Sequence, residues 1–191
     1  VSDRSLWYVS YGSNLFAERF TCYLVGGRAP GGRWTNPGAR DPSPPTGDQR
    51  IDLDNALVFG GPSHTWHGGP AYLDLVTPGH SVGRGWRITL QQFEDLVAQE
   101  NKLTPGAVTV SDELLHEGGV VLPGARYGRV VPLSPVGGEP AVTFTYIDRP
   151  IERDPDPRYV DLLQRGLEQL GLDPAEARAV LRTQPQLATD D

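Results

Sequence analysis

Cysteine is almost missing: Cys22 is the only one in 191 residues. That excludes an internal disulfide and a thiolate metal cluster. Nothing beside Cys22 in the sequence suggests a thiolate environment, so it makes a poor nucleophile. Lysine is as scarce. Of 17 basic residues only Lys102 is a lysine, against 24 acidic residues and a net charge of -7. The bias toward arginine supports no functional claim. The acidic balance, with no basic patch or tail, argues against nucleic acid or an anionic membrane as partner. No apolar run approaches the roughly 18 residues of a membrane-spanning helix. The first residues show no signal-peptide pattern, so a cytoplasmic protein is the default expectation. The four histidines, His64, His67, His80 and His116, make no HExxH arrangement, and neither metal nor cofactor is expected. GxSxG elbow, P-loop and GxGxxG fingerprint are all absent. There is no internal repeat and no second-domain boundary, so residues 1–191 are expected to form one domain.

Glycine (23) and proline (18) are abundant. They point to a folded core with long loops rather than to a disordered chain. The stretch that organises the rest is Trp7 to Leu15. Trp7 to Tyr11 reads as a buried strand, Gly12, Ser13 and Asn14 break it, and Leu15 to Phe20 opens something helical with Phe16, Phe20 and Tyr23 as its apolar side. Such a strand, small-residue turn and helix leaves backbone N–H groups aimed at one spot, a seat for a carboxylate or a developing oxyanion. A tight turn with no ligand is the plainer alternative.

Residues 27–50 are too rich in Gly, Pro, Arg and Asp for a regular element. They read as a long irregular loop that could wall a substrate, with Trp34 folding back or touching it. Strands are expected at 55–60, 71–76, 82–89, 107–112, 119–122, 126–132 and 141–147. Leu90 to Glu100 switches to helical spacing, with Phe93, Leu96 and Val97 on one face, Glu94 more exposed and Thr89 as N-cap. A helix from about Tyr159 to Leu170 is stopped by Gly171, and another from Pro174 to Leu181 has Asp173 as N-cap. The last ten residues are expected to fray. The strand-rich pattern predicts an α+β fold, a small mixed and mostly antiparallel β-barrel with flanking helices.

Three places could carry chemistry. Glu100 lies near the apolar face of its helix, four residues after Leu96. An inward carboxylate needs a partner or takes up a proton, which is what a general acid or base requires. Otherwise it is a helix-end residue turned to solvent. Trp66-His67-Gly68-Gly69 could wall a pocket or simply pack as a turn. Tyr159 follows a proline-stiffened segment, and its hydroxyl could hold a substrate or Glu100, or its ring could anchor the last helix. Tyr11 is ambiguous in the same way.

These residues carry a resemblance. Tyr11-Gly12-Ser13-Asn14-Leu15 is similar to the signature of the gamma-glutamylcyclotransferase-like family. Phe59-Gly60 with Trp66-His67-Gly68-Gly69 resembles the segment that follows in those enzymes, and Gly83 to Ile88 resembles their strand before the helix. Gln99-Glu100 ends that helix where the family places its catalytic glutamate, and Pro157-Arg158-Tyr159 resembles the family's Pro-x-Tyr. The marks span residues 7 to about 170 in the family's order.

The resemblance implies the small mixed barrel of that family and a gamma-glutamyl amide as the small-molecule substrate. It makes Glu100 the general base and assigns substrate binding to Tyr11, Gly12, Ser13, Asn14, Leu15, Trp66, Gly68 and Tyr159. The products would be 5-oxoproline and a free amine, with no metal or nucleotide. Asn101 stands where the family often has glycine, and the 27–50 loop looks expanded. Both features bear on the leaving group, which could be an amino acid, glutathione-derived, a polyamine or an antibiotic intermediate carrying a gamma-glutamyl protecting group. An amide hydrolase on the same scaffold, acting without cyclisation, and a binding protein without catalysis are the alternatives. Oligomeric state is not readable.

Overall fold

The structure is a computed structural model that describes residues 4–63 and 65–188. His64 and the last three residues of the expected frayed tail lie outside the described residues. The fold is mixed α+β. The strands are β1 (Ser5–Ser10), β2 (Gly27–Arg28), β3 (Thr35–Asn36), β4 (Gly47–Phe59), β5 (Ala71–Thr89), β6 (Gly119–Val120), β7 (Arg129–Val136) and β8 (Glu139–Thr145). The helices are α1 (Ala17–Val25), α2 (Leu90–Glu100), α3 (Asp112–Glu117), α4 (Pro157–Gln169) and α5 (Pro174–Arg182), with a 3-10 turn at Ser13–Leu15. Six strands form a mostly antiparallel sheet in the order β4-β5-β1-β8-β7-β6, and β2 pairs with β3 apart from it. Among the described residues no pairing joins β4 to β6. No helix there is long and apolar enough to cross a membrane.

The chain gathers into two compact units, each assembled from separated segments. The described residues of 1–9, 18–48 and 85–147 form the first, and those of 10–17, 49–84 and 148–191 form the second.

In the first unit, β1 lies parallel to β8, with Trp7 opposite Ala141 and Tyr8 opposite Val142. β7 and β8 form a hairpin closed by Gly137 and Gly138, both at positive φ, as a tight turn matched to the strand twist requires. The core of this unit is aromatic. Tyr8 stacks on Phe144 at 5.3 Å, Phe20 stacks on Trp86 at 4.5 Å, and Phe93 lies 5.9 Å from Tyr8. α2 starts where the sequence says it should: Thr89 and Gln92 make a reciprocal capping box.

In the second unit, α4 begins at Pro157, two residues before the expected start, with Asp156 as its N-cap. α5 follows with an Asp173–Glu176 capping box. Leu162, Leu163 and Leu167 of α4, with Ala177 and Leu181 of α5, are buried.

Four sequence expectations need correction. The 27–50 segment is not structureless: β2 and β3 pair within it, and β4 starts at Gly47 rather than near Asn55. β5 runs unbroken through Pro78-Gly79, where two strands were expected. At 107–112 there is no strand, and helix α3 begins at Asp112, capped by Ser111 through the amide of Leu114. The C-terminal segment is held as far as Gln186. Gln184 is buried, its Oε1 accepts from Leu57 N at 2.7 Å, and Gln186 Oε1 accepts from Phe59 N at 2.6 Å.

Candidate active site

Glu100 and the eight expected substrate-binding residues fall in different units. Each group is built locally, and each has its own supports.

In the first unit, α2 carries two faces. Phe93, Leu96 and Val97 are fully buried, as the spacing predicts. A second buried face is polar: Gln92, Asp95 and Gln99 recur at three and four residues, one helical stripe. These side chains fasten the 38–43 segment. Gln92 Nε2 donates to the carbonyls of Asp41 (3.1 Å) and Ser43 (2.9 Å). Asp95 accepts from Arg40 N at 2.8 Å, from Arg40 Nε at 3.0 Å and from Gly106 N at 2.7 Å. Gln99 Oε1 accepts from Gly38 N at 3.2 Å, and its Nε2 donates to Tyr23 O at 2.9 Å. Every one of these buried polar groups therefore has partners, as burial demands.

Glu100 is half-buried at the end of this helix. Both its neighbours are fixed. Gln99 is held as above, and Asn101 clamps residue 127, donating to Tyr127 O at 3.0 Å and accepting from Tyr127 N at 3.0 Å. Asn101 Nδ2 also donates to Val97 O at 2.9 Å, closing the last turn. Burial pushes the Tyr23 phenol well above the ordinary tyrosine range, and the charge of Glu100 pushes it further. Tyr23 thus stays protonated. Trp34 is 57% exposed, with Lys102 Nζ 5.9 Å from its ring centroid. It stacks on the chain's own cation.

In the second unit, the Tyr11–Leu15 loop turns through the 3-10 helix. Leu15 N donates to Gly12 O at 2.9 Å and Phe16 N to Ser13 O at 3.3 Å. These two amides are used inside the turn. The Leu15 side chain is buried, and so are Tyr11 and Asn14. Gly12 and Ser13 are partly exposed. The loop is braced by residues that the sequence reading did not single out. Arg84 is buried, and its Nη1 donates to Leu15 O and to Gln169 Oε1, both at 3.1 Å. Ser10 Oγ donates back to Arg84 O at 3.2 Å. Gln169 Oε1 also accepts from Ala17 N at 2.9 Å. Helix α4 passes so close that a Cβ on Gly166 would lie 2.6 Å from Leu15 Cβ. An arginine between two glycines in an apolar strand, and a glycine inside an amphipathic helix, were the available signals.

Tyr159 joins this group. It is buried, its hydroxyl accepts from Ala71 N at 3.2 Å, and a Cβ on Gly12 would lie 3.1 Å from that hydroxyl. Its ring meets Trp66 at 5.3 Å and Phe59 edge-on at 6.4 Å. Gly68 packs flat on the backbone of 154–156: an added Cβ would stand 2.3 Å from Asp154 O and from Asp156 N. His67 is exposed, and its amide donates to Asp156 Oδ2 at 3.2 Å. The Arg158 guanidinium, helped by the amides of Arg158 and His67, holds the Asp156 carboxyl well below the usual carboxylate range. Gly12, Tyr159, Trp66 and Gly68 thus belong to one packed cluster in which the Asp156 cap fixes the approach to α4. Among the described residues no three His, Cys, Asp or Glu side chains are grouped to hold a metal ion.

Comparison with known proteins gives the same architecture. No family model matches the chain. A solved structure named gamma-glutamyl cyclotransferase aligns with 98% of this chain and 93% of its own at TM-score 0.58 and 19% identity. The structure of an uncharacterized protein from Homo sapiens aligns with 99% of this chain and 94% of its own, at TM-score 0.58 and 20% identity. YkqA from Bacillus subtilis aligns over 93% of this chain and 53% of its own, at TM-score 0.54 and 19% identity. In sequence the chain is 32% identical over 200 residues to histone deacetylase 5 of Arabidopsis thaliana. The match takes in 92% of this chain, which spans 30% of that relative's length. The chain therefore has the gamma-glutamyl cyclotransferase-like fold.

Proposed function

We propose that the chain is an enzyme of the gamma-glutamyl cyclotransferase type, cleaving a gamma-L-glutamyl amide to 5-oxoproline and a free amine. The observation that carries this reading is the setting of Glu100. A half-buried carboxylate ends an amphipathic helix, and both flanking residues are tied down through their side chains. A residue merely turned to solvent needs none of these restraints. The likeness of fold, together with the Tyr11–Leu15 and Pro157–Tyr159 motifs, supports the same assignment.

The chemistry follows from the substrate. Glu100 takes a proton from the alpha-amine. The freed nitrogen attacks the side-chain carbonyl carbon, closing a five-membered lactam. Nucleophile and electrophile share one molecule, so their effective concentration is already high. The tetrahedral oxyanion collapses, the bond to the leaving nitrogen breaks, and protonated Glu100 returns its proton to that nitrogen. Atoms and charges balance without a metal or nucleotide. In the second unit, the braced turn behind the partly exposed Gly12 and Ser13 keeps their backbone preorganised, as a seat for a carboxylate or an oxyanion requires.

The acceptor is the finer question. A cationic acceptor stacking on Trp34 would have to displace Lys102, which occupies that ring. The test is mass-spectrometric detection of 5-oxoproline over free gamma-glutamyl amino acids, glutathione, and gamma-glutamyl polyamines and aminoglycosides, in buffer with and without a chelator. Glu100→Gln is expected to fold and to lose about 100- to 10,000-fold in turnover. Amine release without 5-oxoproline would move the chain to the hydrolase reading, and near-normal turnover in the Gln variant would remove Glu100 as the base.

A further inference from the structure

Residues 26–38 turn back on themselves as the β2–β3 hairpin, with Gly27 opposite Asn36 and Arg28 opposite Thr35. The chain has a net charge of -7, yet this segment holds Arg28 and Arg33 and no acidic residue. Both arginines are exposed. The hairpin is firmly seated in the first unit. At its base Gly38, at positive φ, packs so closely that an added Cβ would stand 2.7 Å from Gly26 N and 3.0 Å from Leu24 O. Within its loop Pro30 O accepts from Nη1 of the buried Arg19 at 2.9 Å. Two contacts tie it to the end of α2, one on each side of Glu100 in sequence. Gly38 N donates to Gln99 Oε1 at 3.2 Å, and Lys102 Nζ lies 5.9 Å from the Trp34 ring centroid. Lys102 is the only lysine of the sequence. It stands just past α2 in the left-handed region, at φ 63°, its amide donating to Gln99 O at 3.1 Å while Leu103 N donates to Ala98 O at 2.9 Å. Glycine is the usual residue at such a helix end. A lysine gives up that ease and sets an exposed cation over an exposed indole.

We propose that this hairpin and Lys102 form the acceptor-side wall of the Glu100 site and select gamma-glutamyl amides whose leaving amine bears a carboxylate, an inference that rests on the cyclotransferase reading. Glu100 returns its proton to the leaving nitrogen, so that nitrogen comes within hydrogen-bond reach of it. Whatever the nitrogen carries then lies against the surfaces beside the end of α2. In an amino-acid leaving group the carboxyl carbon is only two bonds from that nitrogen. An indole face orients an ammonium without neutralising it, so Lys102 keeps its charge for a ligand. Arg28 and Arg33 add charge of the same sign on the hairpin. Against an acidic background, this local run of one sign attracts anionic acceptors and repels polyamines.

The test compares gamma-glutamyl-alanine with gamma-glutamyl-ethylamide, which differ only in the carboxylate, and with gamma-glutamyl-putrescine, all read as 5-oxoproline release by mass spectrometry. The wild type is expected to favour the alanine amide over the ethylamide about tenfold in kcat/KM, with the putrescine amide last. Lys102→Gln should lower kcat/KM for gamma-glutamyl-alanine about tenfold, chiefly through KM, and leave the ethylamide within about twofold. Lys102→Arg should restore the preference, and Lys102→Glu should move it toward the putrescine amide. Added salt should erode the wild-type preference, because exposed charges are screened. A role confined to packing would move all three substrates alike. If Lys102→Gln does not fold, Arg28→Gln combined with Arg33→Gln changes the same field without touching the helix end, and should narrow the preference in the same direction. Equal kcat/KM for the alanine amide and the ethylamide in the wild type, or a folded Lys102→Gln variant that changes both by the same factor, overturns the proposal and leaves the cyclotransferase reading standing. A wild type that makes no 5-oxoproline from these amides or from glutathione overturns that reading and this selectivity with it.

Discussion

Replacing Gly166 by alanine sets two effects against each other. Gly166 lies inside α4, where glycine is about 1 kcal/mol less favourable than alanine, so propensity alone expects Gly166→Ala to stabilise the chain. The geometry opposes this. The new Cβ would stand 2.6 Å from Leu15 Cβ, 2.8 Å from Leu15 C and 2.9 Å from Phe16 N. Comfortable carbon–carbon contact is about 3.5–4.0 Å, so helix and loop must part by about 1 Å. Two of the three atoms are backbone and cannot rotate aside. Overpacking of this kind costs about 1–3 kcal/mol, which after the propensity gain leaves a net loss of about 0–2 kcal/mol. For a chain of this size that is a fall in Tm of up to about 8 °C. Under the proposed function, a shift of about 1 Å in this loop is expected to cost about 100-fold in turnover. Calorimetry measures the first effect, 5-oxoproline release the second, and amide NMR shifts of residues 12–16 follow the loop without any substrate. A raised Tm with unmoved loop shifts and full turnover would refute the close approach of α4 to the loop.

Asp95→Ala removes the acceptor shared by the amides of Arg40 and Gly106 and by the Arg40 guanidinium, and is expected to destabilise by about 2–4 kcal/mol in urea titration. The guanidinium adds little to that figure because the Arg40 side chain is 43% exposed; a loss under about 1 kcal/mol would show that the 38–43 segment does not depend on α2. Tyr23 makes a prediction in alkali. Its folded-state protonation range is raised, so its contribution to stability is complete below the unfolded value of about 10 and declines as pH rises from there toward the folded value. Urea midpoints between about pH 8 and 11 should fall less steeply in Tyr23→Phe than in the wild type, and parallel slopes would show the phenol to be solvated.

The elements with local signals were legible. Thr89 and Asp173 each start a helix through contacts within three residues of themselves, so sequence spacing carries them. What sequence hid was decided at long range. The charges of 48–54 masked the start of β4, although Ile51 and Leu53 alternate with Asp52 and Asp54 as a half-buried strand should. Pro78-Gly79 reads as a turn, but Gly79 lies against Ala56 so closely that the two long strands run past it as one ribbon. Val108 and Val110 suggested a strand and concealed the Ser111 cap of α3. The half-buried position of Glu100 at the end of α2 was legible from its place on the helix. The stripe Gln92–Asp95–Gln99 has the right period for a buried face, yet polar residues at that period signify burial only when their partners are known, and those come from residues 38–43 and 106. Arg84 and Gln169 brace the loop from 85 residues apart, a pairing no local window contains.

The C-terminal glutamines have a consequence for the protein's behaviour in company. β4 stands at one end of the sheet order, where open amides and carbonyls would invite another chain to add a strand. Leu57 N and Phe59 N are instead capped by the side-chain amides of Gln184 and Gln186, Phe59 O receives Gln186 Nε2 and Arg153 N, and Gly60 bridges to Glu152. Side-chain amides here imitate the neighbouring strand that is missing. Gln184→Ala combined with Gln186→Ala would unseal that margin. Self-association that rises with concentration, seen by light scattering, is the expected result, and a variant that scatters like the wild type would mean the margin is guarded by other means. On this view the last helix and the turn after it keep the sheet to itself.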